Sequence, residues 1–129
     1  MTEPKTPPTS EPANAASPSD SSSEARPAGA VPGVLDGIRV LELGQVLAGP
    51  FAGAIFADLG AEVLKIERTD GGDDARRMGP PFRHGDALTF HIFNRGKQSI
   101  ALDLKSEAGL AAFETLAASA DILVHNLRP

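Results

Sequence analysis

The stretch from Asp36 to Arg68, DGIRVLELGQVLAGPFAGAIFADLGAEVLKIER, narrows the possible folds more than any other part of the chain. Ile38 to Leu43 alternates as a strand should, with Ile38, Val40 and Leu41 or Leu43 available to a core. Gly44 to Gly49 reads as a loop. Pro50 suits the first position of a helix, where its missing N–H leaves nothing unbonded. Phe51 to Leu59 is apolar nearly all round, with Ala52, Gly53, Ala54 and Ala57 small, which predicts a helix buried on most sides and close to a neighbouring strand. Gly60 ends that helix, and Glu62 to Ile66 is a second strand. Strand, helix and strand in so short a span make a parallel, right-handed crossover.

The rest of the chain extends the pattern. Glu67 to Pro81, ERTDGGDDARRMGPP, is rich in glycine, proline and charge and is expected to be loop. Asp86 is placed to cap a helix running to about Asn94, with Leu88, Ile92 and the phenylalanines on its apolar side. Gln98 to Leu104 is a third strand. Ser106 caps the next helix, Glu107 complements its positive end, and Leu110, Phe113, Leu116 and Ala117 form its buried stripe. Asp121 to Val124 opens a fourth strand. Strands alternating with helices predict an open α/β sheet, which binds ligands outside the carboxyl ends of its strands. That rule selects four places: Gly44–Gly49, Glu67–Arg77, Leu102–Lys105 and His125–Arg128.

Composition divides the chain. Met1 to Gly33 is built of Pro, Ser, Ala, Thr and scattered charge, with Val31 its only β-branched aliphatic residue, and is expected to be a disordered tail. Residues 34–129 form the folded part. There is no cysteine, which excludes disulfides and thiolate metal sites and fits a reducing, cytoplasmic setting. A formal net charge of -5 argues against a general nucleic-acid binder. No apolar run approaches the ~18 residues of a membrane span.

The candidate chemistry is mostly negative. Gly44 and Gly49 frame GxxxxG without a following Lys-Ser/Thr, so this is no Walker A loop, and it is not GxGxxG either. Glu67 nevertheless stands about where a dinucleotide-binding domain keeps its ribose-binding acid. On spacing alone, phosphate or nucleotide binding and a plain tight turn both stand. In GGDDARR, Asp73 and Asp74 invite a metal reading and Arg68, Arg76 or Arg77 a phosphate reading, against a solvated polar loop. His84, His91 and His125 are scattered singly, without a second metal ligand at zinc spacing. Only His125 lies at a strand end, where a base would stand. Ser99 and Ser106 lack the GxSxG setting of a hydrolase nucleophile.

Three runs together are more specific than any of these. LDGIRVLELGQVLAGPFAGAIFADLGAEVLKIER, FNRGKQSIALDLK and ADILVHNLRP, in that order, resemble the amino-terminal part of class III CoA-transferases, the CaiB/BaiF family that includes formyl-CoA transferases and α-methylacyl-CoA racemases. The resemblance covers Val34 to Pro129. It implies a partial Rossmann-like open parallel sheet and a site for coenzyme A or acyl-CoA as substrate, with no covalently bound cofactor. Contacts to CoA are implied at Leu47 and Ala48, at Arg68, at Leu102, Asp103, Leu104 and Lys105, and at Asn126, Leu127 and Arg128. Formyl-CoA transferases have a glutamine where Leu47 stands, so a side-chain polar contact there is absent.

The resemblance further implies a transferase that moves CoA between an acyl-CoA thioester and a carboxylic acid. An aspartate attacks the thioester, forming an acyl-enzyme anhydride and releasing CoA thiolate. By the family pattern that aspartate lies beyond Pro129, and none of Asp58, Asp70, Asp73, Asp74, Asp86, Asp103 or Asp121 matches it. The chain is therefore expected to be a truncated piece, inactive alone, of an intertwined homodimer. A racemase of the same family, and a nucleotide-binding domain without acyl chemistry, are the alternatives.

Overall fold

The computed structural model describes residues 32–128, so the disorder expected of the tail lies, up to Val31, outside the described residues. The elements run β1 (Arg39–Glu42), α1 (Ala48–Asp58), β2 (Glu62–Glu67), a 3-10 turn (Asp74–Arg77), β3 (Phe82–Arg83), β4 (Asp86–Ala87), α2 (Leu88–Phe93), β5 (Gln98–Ala101), α3 (Glu107–Ala118) and β6 (Ile122–Val124). Four strands form one parallel sheet in the order β5-β2-β1-β6, and β3 and β4 make a small antiparallel hairpin. The chain steps outward from β1 to β2 to β5, then returns through α3 to the far side of β1. Crossovers that run in opposite directions with one handedness put α1 and α3 on opposite faces. The expected α/β class and parallel sheet are both present.

Side chains of alternate residues follow that division. Val40 and Val63, each 2% exposed, meet Ala61 and are covered by Phe56 and Ala57 of α1, with Ile38, Ile122 and Val124 at the margin. Removing each valine from water is worth about 1.5–3 kcal/mol. Leu41 points the other way, toward Leu116 and Ala120 around α3. Ser106 caps α3 as expected, its Oγ accepting from Gly109 N at 3.0 Å, and Glu107 stands in the first turn.

Several local expectations are corrected. The first helix starts at Ala48, two residues before Pro50, with Leu47 at its N-cap; proline is tolerated there because first-turn N–H groups have no intrahelical partner. It is also less buried than its composition predicts. Gly49, Pro50, Gly53 and Ala54 are buried, whereas Phe51, Ile55 and Leu59 are 41–48% exposed, although Phe93 of the six-residue α2 meets Phe51 edge-on. Asp86 does not cap α2. Its carboxylate is taken by Arg76, and Ala87 occupies the N-cap without a side-chain bond. The third strand ends at Ala101, leaving Leu102–Lys105 as loop. Leu110 is exposed, so the α3 stripe is Gly109, Ala112, Phe113, Leu116 and Ala117. Glu67 closes β2, and the expected loop after it is broken by the 3-10 turn.

GxxxxG gains a physical reason here. A Cβ on Gly49 would stand 2.6 Å from Gly44 Cα, and one on Gly44 2.7 Å from Gly49 Cα. The loop closes on itself backbone to backbone, and neither side can give way. Gly49→Ala is expected to cost about 2 kcal/mol in urea unfolding. A change within about 0.5 kcal/mol, typical of an unconstrained site, would show that the loop has room.

Candidate functional site

All four strand-end segments selected from the sequence border one cleft of about 480 Å³ at the carboxyl edge of the sheet. Its walls are Leu43–Gln45 after β1, Ile66–Asp70 with Gly72 and Asp73 at and after the end of β2, Leu102–Lys105 after β5 and Leu127 after β6. This is the crevice where open α/β sheets take ligands.

The floor is ionic and buried. Glu42 and Lys65 are register partners on β1 and β2, and Lys65 Nζ donates to Glu42 Oε1 at 2.9 Å. The same ammonium donates to Gly44 O at 2.7 Å and lies 2.9 Å from Asp73 Oδ2. Glu42 Oε2 faces Lys97 Nζ at 2.6 Å, and Lys97 also donates to Pro50 O and Asn94 Oδ1. Burial pushes the Lys97 ammonium below the usual lysine range, while its bond to Glu42 works in the opposite direction. Side chains of Glu42, Lys65, Asp73 and Lys97 are 0–2% exposed, and the two carboxylates balance the two ammonium groups.

A second, partly buried unit braces the outer wall. Arg76 donates from Nε to Glu67 Oε2 (2.8 Å), from Nη2 to Glu67 Oε1 (2.7 Å) and from Nη1 to Asp86 Oδ2 (2.7 Å). It lies 3.8 Å over the Phe90 ring, a cation–π contact. Ser99 Oγ and Asp73 N donate to the same Glu67 carboxylate. Burial acts to raise the Glu67 carboxyl, but bonds from Arg76, Ser99 and Asp73 outweigh it and hold it at about 2. With both oxygens engaged, Glu67 offers nothing to a ribose, which removes the main support for a dinucleotide site. Arg76 is likewise a brace, bonded to Glu67 and Asp86 through all three of its nitrogens.

The loop GGDDARR is thus not simply a solvated polar loop. Asp73 is 2% exposed, and its Oδ1 accepts from Val46 N and Ala75 N, both at 2.9 Å. Arg68 borders the cleft but folds back, with Nε and Nη2 on Gly72 O and Nη2 on Asp74 Oδ1 at 2.7 Å. Arg77 Nη2 reaches the same Asp74 oxygen at 2.7 Å. The hydrogen bond from Arg68 is the largest cause holding the Asp74 carboxyl below its ordinary value. Lys105 lines the cleft, is exposed, and has no ion-pair partner among the described residues.

The other residues implied by resemblance fall into three groups. Leu102, Asp103, Leu104 and Leu127 line the cleft. Leu47 and Ala48 are exposed at the start of α1 beside it, and Arg128 is exposed beyond Leu127. The Asn126 side chain turns to the β1 loop, its Oδ1 accepting from Gln45 N (2.8 Å) and its Nδ2 donating to Gln45 O (3.0 Å). Sequence reasoning missed Glu42, Lys65 and Lys97. For Glu42 and Lys65 the available signal was a charge embedded in each apolar run, VLEL and VLKI, of two parallel strands.

The fold is that of a doubly wound α/β domain with a cleft at its strand ends. Residues 35–129 match the profile of CoA-transferase family III. The chain is 48% identical over 100 residues to a succinate–glutarate CoA-transferase of Agrobacterium fabrum, covering 73% of this chain and 25% of that protein. It is 47% identical over 95 residues to the succinyl-CoA:glutarate CoA-transferase of Mus musculus, covering 74% of this chain and 22% of that protein. A crystal structure of a CAIB/BAIF family protein from Brucella suis superposes with a TM-score of 0.71 at 44% identity, over 75% of this chain and 26% of that one. The chain belongs to CoA-transferase family III. It spans about a quarter of the length of these relatives. Among the described residues, no helix is long and apolar enough to cross a membrane.

Proposed function

We propose that these residues form the coenzyme A site of an enzyme that moves CoA between an acyl-CoA thioester and a carboxylic acid. The observation that carries the reading is the convergence of all four strand ends on one cleft that presents an ammonium, Lys105, without an ion-pair partner among the described residues. Apolar atoms of Leu43, Leu102 and Leu104 offer a surface for the adenine, and Lys105 offers charge to phosphate. Arg68 joins it by exchanging Asp74 for a phosphate oxygen, with Arg77 left to neutralise that carboxylate.

The transfer begins when an aspartate oxygen attacks the thioester carbonyl, breaking the C–S bond to leave an acyl anhydride and CoA thiolate. We assign that role to none of Asp58, Asp70, Asp73, Asp74, Asp86, Asp103 and Asp121. Asp73 is buried in an ion pair, Asp58, Asp74 and Asp86 are paired with arginines, and Asp121 binds Arg39 N at the opposite edge of the sheet. Asp103 accepts from its own loop at Lys105 N, and Asp70 stands 3.8 Å from Arg68. The chain by itself is therefore expected to bind CoA without transferring it.

Calorimetric titration tests this. CoA is expected to bind and NAD is not, and Lys105→Ala weakens CoA roughly tenfold, as loss of one partly solvated charged hydrogen bond would. Tight NAD binding with indifference to CoA would sink the reading in favour of a dinucleotide domain.

A further inference from the structure

The β1 loop holds a conformation that its own sequence disfavours. Val46 has φ of 64°, the left-handed region, where a β-branched residue is an outlier costing about 1–3 kcal/mol. Such a backbone persists only where its surroundings fix it. Three consecutive residues of this loop are each gripped by a polar side chain from a different part of the chain. Gly44 O accepts from Lys65 of β2, Gln45 is bonded through both its N–H and its carbonyl to Asn126 after β6, and Val46 N donates to Asp73 after β2. Gly44 and Gln45 are cleft wall, so the grip fixes the surface a ligand meets.

We propose that Asp73 and Asn126 are positioning residues, which hold the loop 44–47 in its ligand-ready shape without their side chains touching the ligand. Asp73 suits the role because one oxygen serves geometry and the other serves charge. Its Oδ1 accepts from Val46 N and Ala75 N, joining the loop after β1 to the turn after β2, and its Oδ2 neutralises Lys65. Asn126 supplies a donor and an acceptor at once, a pairing that neither an aspartate nor an alanine reproduces. Its side chain was expected from resemblance at a CoA contact; in this arrangement its contribution to the ligand is made through Gln45. The affinity half of the proposal rests on the CoA reading, and the loop half does not.

Amide hydrogen exchange of the ligand-free chain and CoA titration, run on Asp73→Ala, Asp73→Asn and Asn126→Ala, decide it. Asp73→Ala and Asn126→Ala are expected to speed exchange across Gln45–Leu47 by roughly tenfold or more and to weaken CoA about tenfold. Asp73→Asn keeps an oxygen that accepts from Val46 N while losing the Lys65 pair, so it is expected to lower global stability yet keep loop protection near wild type. That split separates positioning from a merely structural role. Asn126 is exposed, so its alanine variant folds even where Asp73→Ala does not. Unchanged loop exchange in Asn126→Ala, equal loop exchange in the two folded Asp73 variants, or a loosened loop with undiminished CoA affinity would each overturn the proposal. A wild-type chain that binds no CoA ends the affinity half together with the CoA reading, and the exchange comparison still decides the loop half.

Discussion

Glu42→Gln is expected to lower the unfolding free energy by about 3–5 kcal/mol, the cost of breaking a buried ion pair by removing one partner. The substitution is isosteric, so the loss is electrostatic. Each Glu42 oxygen faces a different ammonium, Oε1 that of Lys65 and Oε2 that of Lys97. A glutamine oxygen can satisfy one of them, but its NH2 must then point at the other. The site cannot expand to admit water either. Gly53 of α1 lies against this carboxylate, so that a Cβ there would overlap Glu42 Oε2 and stand 3.0 Å from Lys97 Nζ. Asp58→Asn is the control, because its pair with Arg95 is half exposed and worth less than about 1 kcal/mol. Urea midpoints of the two variants give the comparison. If Glu42→Gln cost no more than Asp58→Asn, the floor of the cleft would be solvated and its charges loosely coupled.

How much of this could be read in advance depends on which interactions are local in sequence. Alternation in IRVLEL and EVLKI, the small residues of α1 and the Ser106 cap are local, and each appears where the sequence puts it. The cleft was also accessible, since parallel strands with helical crossovers dictate where a ligand lies and which loops reach it. The ionic floor was not. Glu42 meets Lys65 only because of strand register, and Asp73 meets both Lys65 and Val46 only because the loop after β2 folds back beneath the loop after β1. Arg76 misled for the same reason. In GGDDARR it looks like a surface guanidinium available to phosphate, yet the 3-10 turn carries it onto Glu67, Asp86 and Phe90. The partial burial of α1 escaped the sequence as well, because composition reports how apolar a helix is and not how much packs against it.

Acid is expected to remove about 3 kcal/mol of stability through Glu67 alone, the linkage equivalent of a carboxyl depressed from 4.5 to about 2. The sign follows from which state binds protons more readily. Between those two values the unfolded chain takes up a proton at Glu67 while the folded chain does not, so falling pH favours unfolding. The contribution is fully present above about pH 4.5, declines as pH falls, and is gone once pH has passed below about 2. Little discount for solvent applies, because the Glu67 side chain is 4% exposed. Asp74, an exposed carboxylate held low by Arg68, titrates in the same direction. Glu67→Gln isolates the effect. It is expected to be less stable than wild type at neutral pH, having left Arg76 without its anion, but to show a flatter acid limb in urea midpoints measured from pH 6 to pH 2, a window that brackets the shift. Were the two limbs parallel, the acid sensitivity would reside elsewhere, and the brace that Arg76, Ser99 and Asp73 build around Glu67 would be looser than its hydrogen bonds indicate.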